Sequence, residues 1–185
     1  MAVMGHEQNP SWFQDTTLNR PVEEVTWAMC AEFAARLCGL EKLPRGNYRL
    51  PSEEEREYAC RAGTRTPYCC SGSWQDLRRY ADYAQTQPKG TRLVGRRRPN
   101  AWGICDMRGN VWEWCANDFY DYLEPADVDA VRKSIRGGNW LADYSNCRFA
   151  SRYRLPPDSH GNMCGFRLVR SVPPSMLRPT ERPNE

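Results

Sequence analysis

The sequence predicts an α+β fold with two early helices, short late strands and much irregular backbone between them. Three observations predict it. Apolar residues recur at helical spacing from Trp27 to Leu40, with Met29, Phe33 and Leu37 beside Cys30, Ala34 and Cys38. Ser52 followed three residues later by Glu55 is a capping box, so a second helix starts there. The run Gly165-Phe166-Arg167-Leu168-Val169-Arg170 alternates with the period of a strand.

Taken in order, Asn9-Pro10-Ser11-Trp12-Phe13 is a turn with aromatics, and Arg20 to Trp27 is a short extended segment. Thr26 is placed to cap the first helix, which ends near Gly39. Tyr48-Arg49-Leu50-Pro51 is extended and leads into the second helix, whose acidic first turn (Glu53, Glu54, Glu55) complements the helix dipole. That helix runs to about Arg61 and stops at Gly63. Residues 64–100 are turn-rich, with one short helical turn between Trp74 and Tyr83. Asn100 to Trp114 holds three of the chain's seven tryptophans together with Gly103, Asp106, Gly109, Asn110 and Glu113. Its glycines argue against a helix and its polar cluster against a strand, so irregular backbone that gathers oxygen atoms is expected. An acidic aromatic segment, Asn117 to Tyr122, precedes a charged loop from Glu124 to Lys133. Gly137-Gly138 is expected to turn the chain into a strand, and Ser171 to Glu185 is expected to be a disordered, Pro-rich tail.

Composition narrows the function classes. A single domain is expected for 185 residues. Nothing approaches the apolar length of a membrane span. A net charge of +3 does not call for a nucleic-acid partner, and Arg96-Arg97-Arg98 reads as a solvated loop. Met1 to His6 lacks the regions of a signal peptide, and the compartment stays open. Nine cysteines at irregular spacing do not form a disulfide framework or a zinc motif, so buried thiols are expected.

Several separated motifs share one order: Asn9-Pro10-Ser11-Trp12-Phe13, Arg20-Pro21-Val22-Glu23-Glu24-Val25-Thr26-Trp27, Arg49-Leu50-Pro51-Ser52-Glu53 and Tyr58-Ala59-Cys60-Arg61-Ala62-Gly63-Thr64. Gly109-Asn110-Val111-Trp112-Glu113-Trp114, Arg136-Gly137-Gly138-Asn139-Trp140 and Gly165-Phe166-Arg167 complete it. Over residues 4–170 the chain resembles the formylglycine-generating enzyme, or sulfatase-modifying factor, family. The resemblance implies a variant C-type lectin fold with two helices, short antiparallel strands and much irregular structure. It also implies one such domain over residues 1–170. The family's initial extended segment has no counterpart before Ala2, so a shortened or truncated start and an open sheet edge are expected.

The family's enzymes oxidise a substrate cysteine with copper held by two cysteines, soft ligands for a soft ion. Counted from Gly138, those positions are Ala142 and Cys147, and the family's Gly-Gly-Ser carries Asn139 as its third residue. With the first ligand replaced by alanine, a copper oxidase that makes formylglycine, or a degenerate relative of one, is the alternative reading, with Cys147 as its sole catalytic candidate. The iron-dependent sulfoxide synthases of the family need a His cluster, and this chain has only His6 and His160.

The segment from Leu141 to Cys164 resembles the variable region of proteins diversified by retroelements. Those proteins use the same fold to display randomised residues between frame positions, and Asn codons are the typical target. Here the frame corresponds to Gly137, Gly138, Trp140, Cys147, Arg148, Arg152, Pro157, Asp158, Gly165 and Phe166. The intervening residues are Leu141, Ala142, Asp143, Tyr144, Ser145, Phe149, Ser151, Tyr153, Leu155, Pro156, Ser159, His160, Gly161 and Cys164. Each is reachable from an Asn codon by changing its first two bases. Tyr144, Phe149 and Tyr153 read as exposed aromatics among arginines, the side chains that dominate interfaces. A non-catalytic binding face for a protein or other surface ligand is the expectation. By the same resemblance, the side chains of Asp106 and Glu113 and the carbonyls of Gly109 and Val111 form a structural calcium site, an oxygen set that suits a hard cation.

Overall fold

Thr26 holds extended backbone and its hydroxyl accepts the Met29 amide, which starts helix α1, Trp27–Leu40. The cap satisfies one of the donors that a helix start leaves open. Cys30, Ala34 and Cys38 form its buried stripe. Helix α2, Glu53–Arg61, opens with the reciprocal Ser52–Glu55 capping box and ends where Ala62 adopts left-handed backbone. Both helices lie where the sequence places them. The computed structural model describes residues 3–5, 9–14, 19–68, 73–86, 89–119 and 131–172. Tyr120 to Tyr122, most of the charged loop and the tail from 173 lie outside the described residues.

The strands are β1 (Tyr48–Arg49), β2 (Trp112–Asp118), β3 (Lys133–Arg136), β4 (Arg152–Leu155), β5 (Cys164–Gly165) and β6 (Val169–Arg170). β1 and β6 pair antiparallel, and the other four form a sheet in the order β4-β3-β2-β5. Three expectations change. Trp112-Glu113-Trp114 is not irregular: it opens the longest strand, at the centre of the sheet. Gly137-Gly138 follows β3 instead of introducing a strand, and both glycines have positive φ. The alternating run 165–170 is divided between β5 and β6, and β5 lies parallel to β2. The helical turn expected after Trp74 is a 3-10 helix, Trp74–Arg79.

The register sorts side chains onto two faces, because successive residues of a strand point opposite ways. Glu113 lies across from Arg136, which lies across from Arg152, and all three face α2. There Glu53 receives Arg136 and Arg152, Glu57 receives Arg136, and Arg56 reaches Glu113. The underside of α2 is therefore ionic. Trp114, Ile135 and Tyr153 form the opposite row, with Trp112 beside them. Val25, Cys30, Leu50 and Cys164 pack with Trp112, Trp114 and Ile135 to make the apolar core. Burying rings of this size contributes a few kcal/mol each. Among the described residues, no helix is long and apolar enough to cross a membrane.

Candidate functional site

The apolar face of the sheet is covered by α1 and the 22–27 segment near Trp114, but at the Trp112 end it opens. There lies a cavity of 530 Å³. From the segment singled out in the sequence it gathers Leu141, Ala142, Tyr153, Leu155, Ser159, His160, Gly161 and Cys164. Trp112, Ile135, Asn139, Asn146 and Met163 complete the wall. None of these is Asp, Glu, Lys or Arg. Volume and lining are those of a small-ligand or side-chain pocket, which takes about 300 to 1,000 Å³ and is mostly apolar with a few polar groups.

Local rules place each wall element. Ile135 of β3 sits between its neighbours on β2 and β4, and the Trp112 and Tyr153 rings flank it, stacked with centroids 5.9 Å apart at 22°. After Gly138, the buried Asn139 side chain accepts the Leu141 amide at 2.9 Å, and its carbonyl accepts the Ala142 amide at 3.1 Å. That turn pushes Leu141 outward to 59 % exposure at the cavity lip. Tyr153, at 54 % exposure, forms the other side. A second turn, closed by Ser159 N–H donating to Pro156 O at 3.0 Å, delivers Ser159, His160 and Gly161. The Gly161 carbonyl accepts from Glu24 and from Cys164, both at 3.1 Å, and anchors this wall to the start of the chain.

The rest of the segment serves other ends. Asp143 caps the 3-10 helix Tyr144–Cys147 by accepting the Ser145 amide, which, with Gln85, holds its carboxyl below the usual range. Tyr144 stacks on Trp74, centroids 5.2 Å apart. Ser151 donates its hydroxyl to Ser145 O and accepts Arg136 at its carbonyl, so it braces the loop. Pro156 only starts the second turn. Phe149 is a correction: it is 4 % exposed, packs with Cys60 and Met107, and lies between the guanidinium groups of Arg61 and Arg108. Its burial beside two guanidinium groups places this aromatic in the core. Trp112, Ile135 and Asn139 are wall residues that sequence reasoning did not single out. The alternation Trp112-Glu113-Trp114 was the signal that could have found the first.

Cys147 lies outside the cavity wall and is fully buried among Tyr68, Leu77, Ala81 and Tyr83. Burial pushes its thiol up to about 12, so in the metal-free protein it stays protonated and is a poor nucleophile. A Cβ on Gly138 would stand 2.7 Å from its sulfur, which makes that glycine necessary. The Ala142 position does line the cavity, without a ligating group.

Of the expected calcium residues, Glu113 and Asp106 have side-chain oxygens already engaged by donors of the protein itself. Glu113 is 4 % exposed and both its oxygens are taken by two arginines. Burial raises its pKa, but the charges of Arg167 and Arg56 outweigh that and hold the carboxyl below its ordinary range. Asp106 accepts the Gly95 amide at 2.6 Å, and burial raises its pKa. Gly109 is wedged against Asp82, where an added Cβ would meet a backbone oxygen at 2.1 Å. Val111 is buried beside Gly165.

Comparison with known proteins gives a consistent result. The formylglycine-generating enzyme of Streptomyces coelicolor is 32 % identical over 177 residues, covering 83 % of this chain and 54 % of that protein. The inactive C-alpha-formylglycine-generating enzyme 2 of Mus musculus is 32 % identical over 170 residues, covering 84 % of this chain and 50 % of its own length. The chain thus spans about half the length of these curated relatives. Among solved structures, Treponema denticola variable protein 1 superposes with a TM-score of 0.77 at 24 % identity, covering 90 % of this chain and 78 % of that one. PvdO from Pseudomonas aeruginosa does so with a TM-score of 0.73 at 31 % identity, covering 86 % and 65 %. The family model for the sulfatase-modifying factor enzyme 1-like domain matches residues 3–172, and the chain belongs to that family.

Proposed function

We propose that this chain is a non-catalytic binding protein that uses the 141–164 segment to hold an apolar side chain of a protein partner. The cavity beside Trp112 carries the reading. Much of the segment converges on one wall without acidic or basic residues other than His160, with Trp112 and Ile135 at its floor and Tyr153 stacked on Trp112 at its lip. Aromatic anchors in a desolvated pocket are where binding energy concentrates. The frame residues brace that wall from behind: Trp140 donates its indole N–H to Asn162 O, and Trp27 N–H reaches Pro157 O. A rigid frame with changeable lining is what a diversified binding segment requires, so the same reading extends to retroelement-driven diversification. The likeness to variable protein 1 is one of fold, and the function rests on the residues.

Family membership does not decide activity, because its relatives include an enzyme and a protein named inactive. The alanine at 142, which leaves Cys147 without a second thiol at the expected spacing, speaks against copper oxidation of a substrate cysteine. The test pans a random-peptide display library against the whole chain. Enriched apolar peptides that lose at least tenfold in affinity to Tyr153→Ala and Leu141→Ala, but not to the distant Arg36→Ala, support the proposal. Peptides that bind all variants equally, or no enrichment, defeat it.

A further inference from the structure

The loop from Asn100 to Val111 converges on the centre of the sheet, and something must hold it there. A carboxylate of Glu113 and the carbonyls of Cys105 and Asp106 point at one spot. Such a set of hard oxygens is what a divalent cation takes. The spot is filled. The Arg167 guanidinium touches Glu113 Oε1 at 2.9 Å, the Cys105 carbonyl at 3.2 Å and the Asp106 carbonyl at 3.3 Å through one terminal nitrogen. Its Nε lies 3.0 Å from Glu113 Oε2. From α2, Arg56 closes the other side, with Nε 3.1 Å from Glu113 Oε2 and a terminal nitrogen 2.6 Å from the Met107 carbonyl.

We propose that Arg167 and Arg56 take the place of a structural cation at Glu113, so that the clamp on this loop is closed by guanidinium groups and needs no calcium. The charge count supports this. Two guanidiniums already face one carboxylate, and the nearby Asp82 is committed to Arg97 at 3.0 Å. Asp106 is the remaining acidic neighbour, and the Gly95 amide holds one of its oxygens. A dication would meet two fixed positive charges at short range, and both would oppose it. A planar guanidinium presents five donors in a fixed fork, where an ammonium is a compact charge with three rotatable ones.

The proposal does not depend on what the cavity binds. Its test uses the full chain, dialysed against a chelator, in thermal melts with EDTA or with millimolar calcium, alongside metal analysis. The expected melting point is the same in both buffers within about 1 °C, with no stoichiometric metal. Arg167→Ala is expected to melt roughly 6 to 12 °C lower, and Arg167→Lys to recover less than half of that. A chelator-dependent drop in melting point, or one calcium per chain, overturns the proposal. So does an Arg167→Ala variant that melts like the parent, and the wild-type melts decide the matter even if that variant fails to fold.

Discussion

Replacing Glu53 by alanine tests the view that α2 is held to the sheet by charge. Glu53 accepts Arg152 at 2.5 and 2.9 Å and the Ser134 hydroxyl at 2.9 Å, with Arg136 at 3.5 Å. Arg136 is 2 % exposed, so the variant leaves a buried guanidinium with Glu57 alone as its anionic partner. Breaking a buried pair from one side costs about 3 to 5 kcal/mol. That is a large share of a total stability of roughly 5 to 15 kcal/mol. Urea denaturation followed by tryptophan fluorescence should show the midpoint falling accordingly. Glu53→Met separates packing from charge, because it keeps the volume and removes the carboxylate. The charge argument expects methionine to lose nearly as much as alanine. A methionine variant as stable as the parent, or an alanine variant within about 1 kcal/mol of it, would refute the reasoning.

Three further outcomes are expected. Phe149→Ala should lower stability by about 3 to 5 kcal/mol, as for a core ring, and Tyr153→Ala should lower it much less, measured in the same urea titration. Native chain treated with iodoacetamide at pH 8 should be alkylated at the half-buried Cys105 well before Cys30, Cys115 or Cys147, whose thiols burial pushes up to about 12, as peptide mass spectrometry can read. Glu55 is held down to about 2, first by Arg49 and then by the Ser52 amide. Its stabilisation is present above the unfolded value of about 4.3 and fades as pH falls towards the folded one. Because the pair is partly exposed, Glu55→Ala should cost about 1 kcal/mol at pH 7 and almost nothing near pH 2.

The helices were legible because their signals are local. Thr26, Ser52 and Glu55 act on amides within one turn of themselves. The sheet was harder, because its decisive partners are far apart in sequence. Trp112-Glu113-Trp114-Cys115 alternates as a strand should, yet the carboxylate at its centre reads as part of an oxygen-gathering loop, because its partners Arg56 and Arg167 lie 57 and 54 residues away. For the same reason the acidic start of α2 announces its dipole, but not the burial of Glu53 and Arg56. Phe149 looked exposed because its cover comes from Arg61 and Arg108, each some forty or more residues away. The cavity was half legible. Its rim lies in one segment, but its floor comes from β2 and β3, and no spacing along the chain announces that.

β4 and β5 lie at opposite edges of the sheet, so the chain leaves it after Leu155 and re-enters at Cys164 about 14 Å away. Everything between is a closed excursion, pinned by the Pro157 and Gly161 carbonyls to Trp27 and Glu24. Chain-closure entropy for such an excursion grows slowly, by only about 0.6 kcal/mol per doubling of length. The tip at Ser159 and His160 can therefore be rewritten as a cassette, while the anchors on either side and the strands beyond them stay unaware of the change.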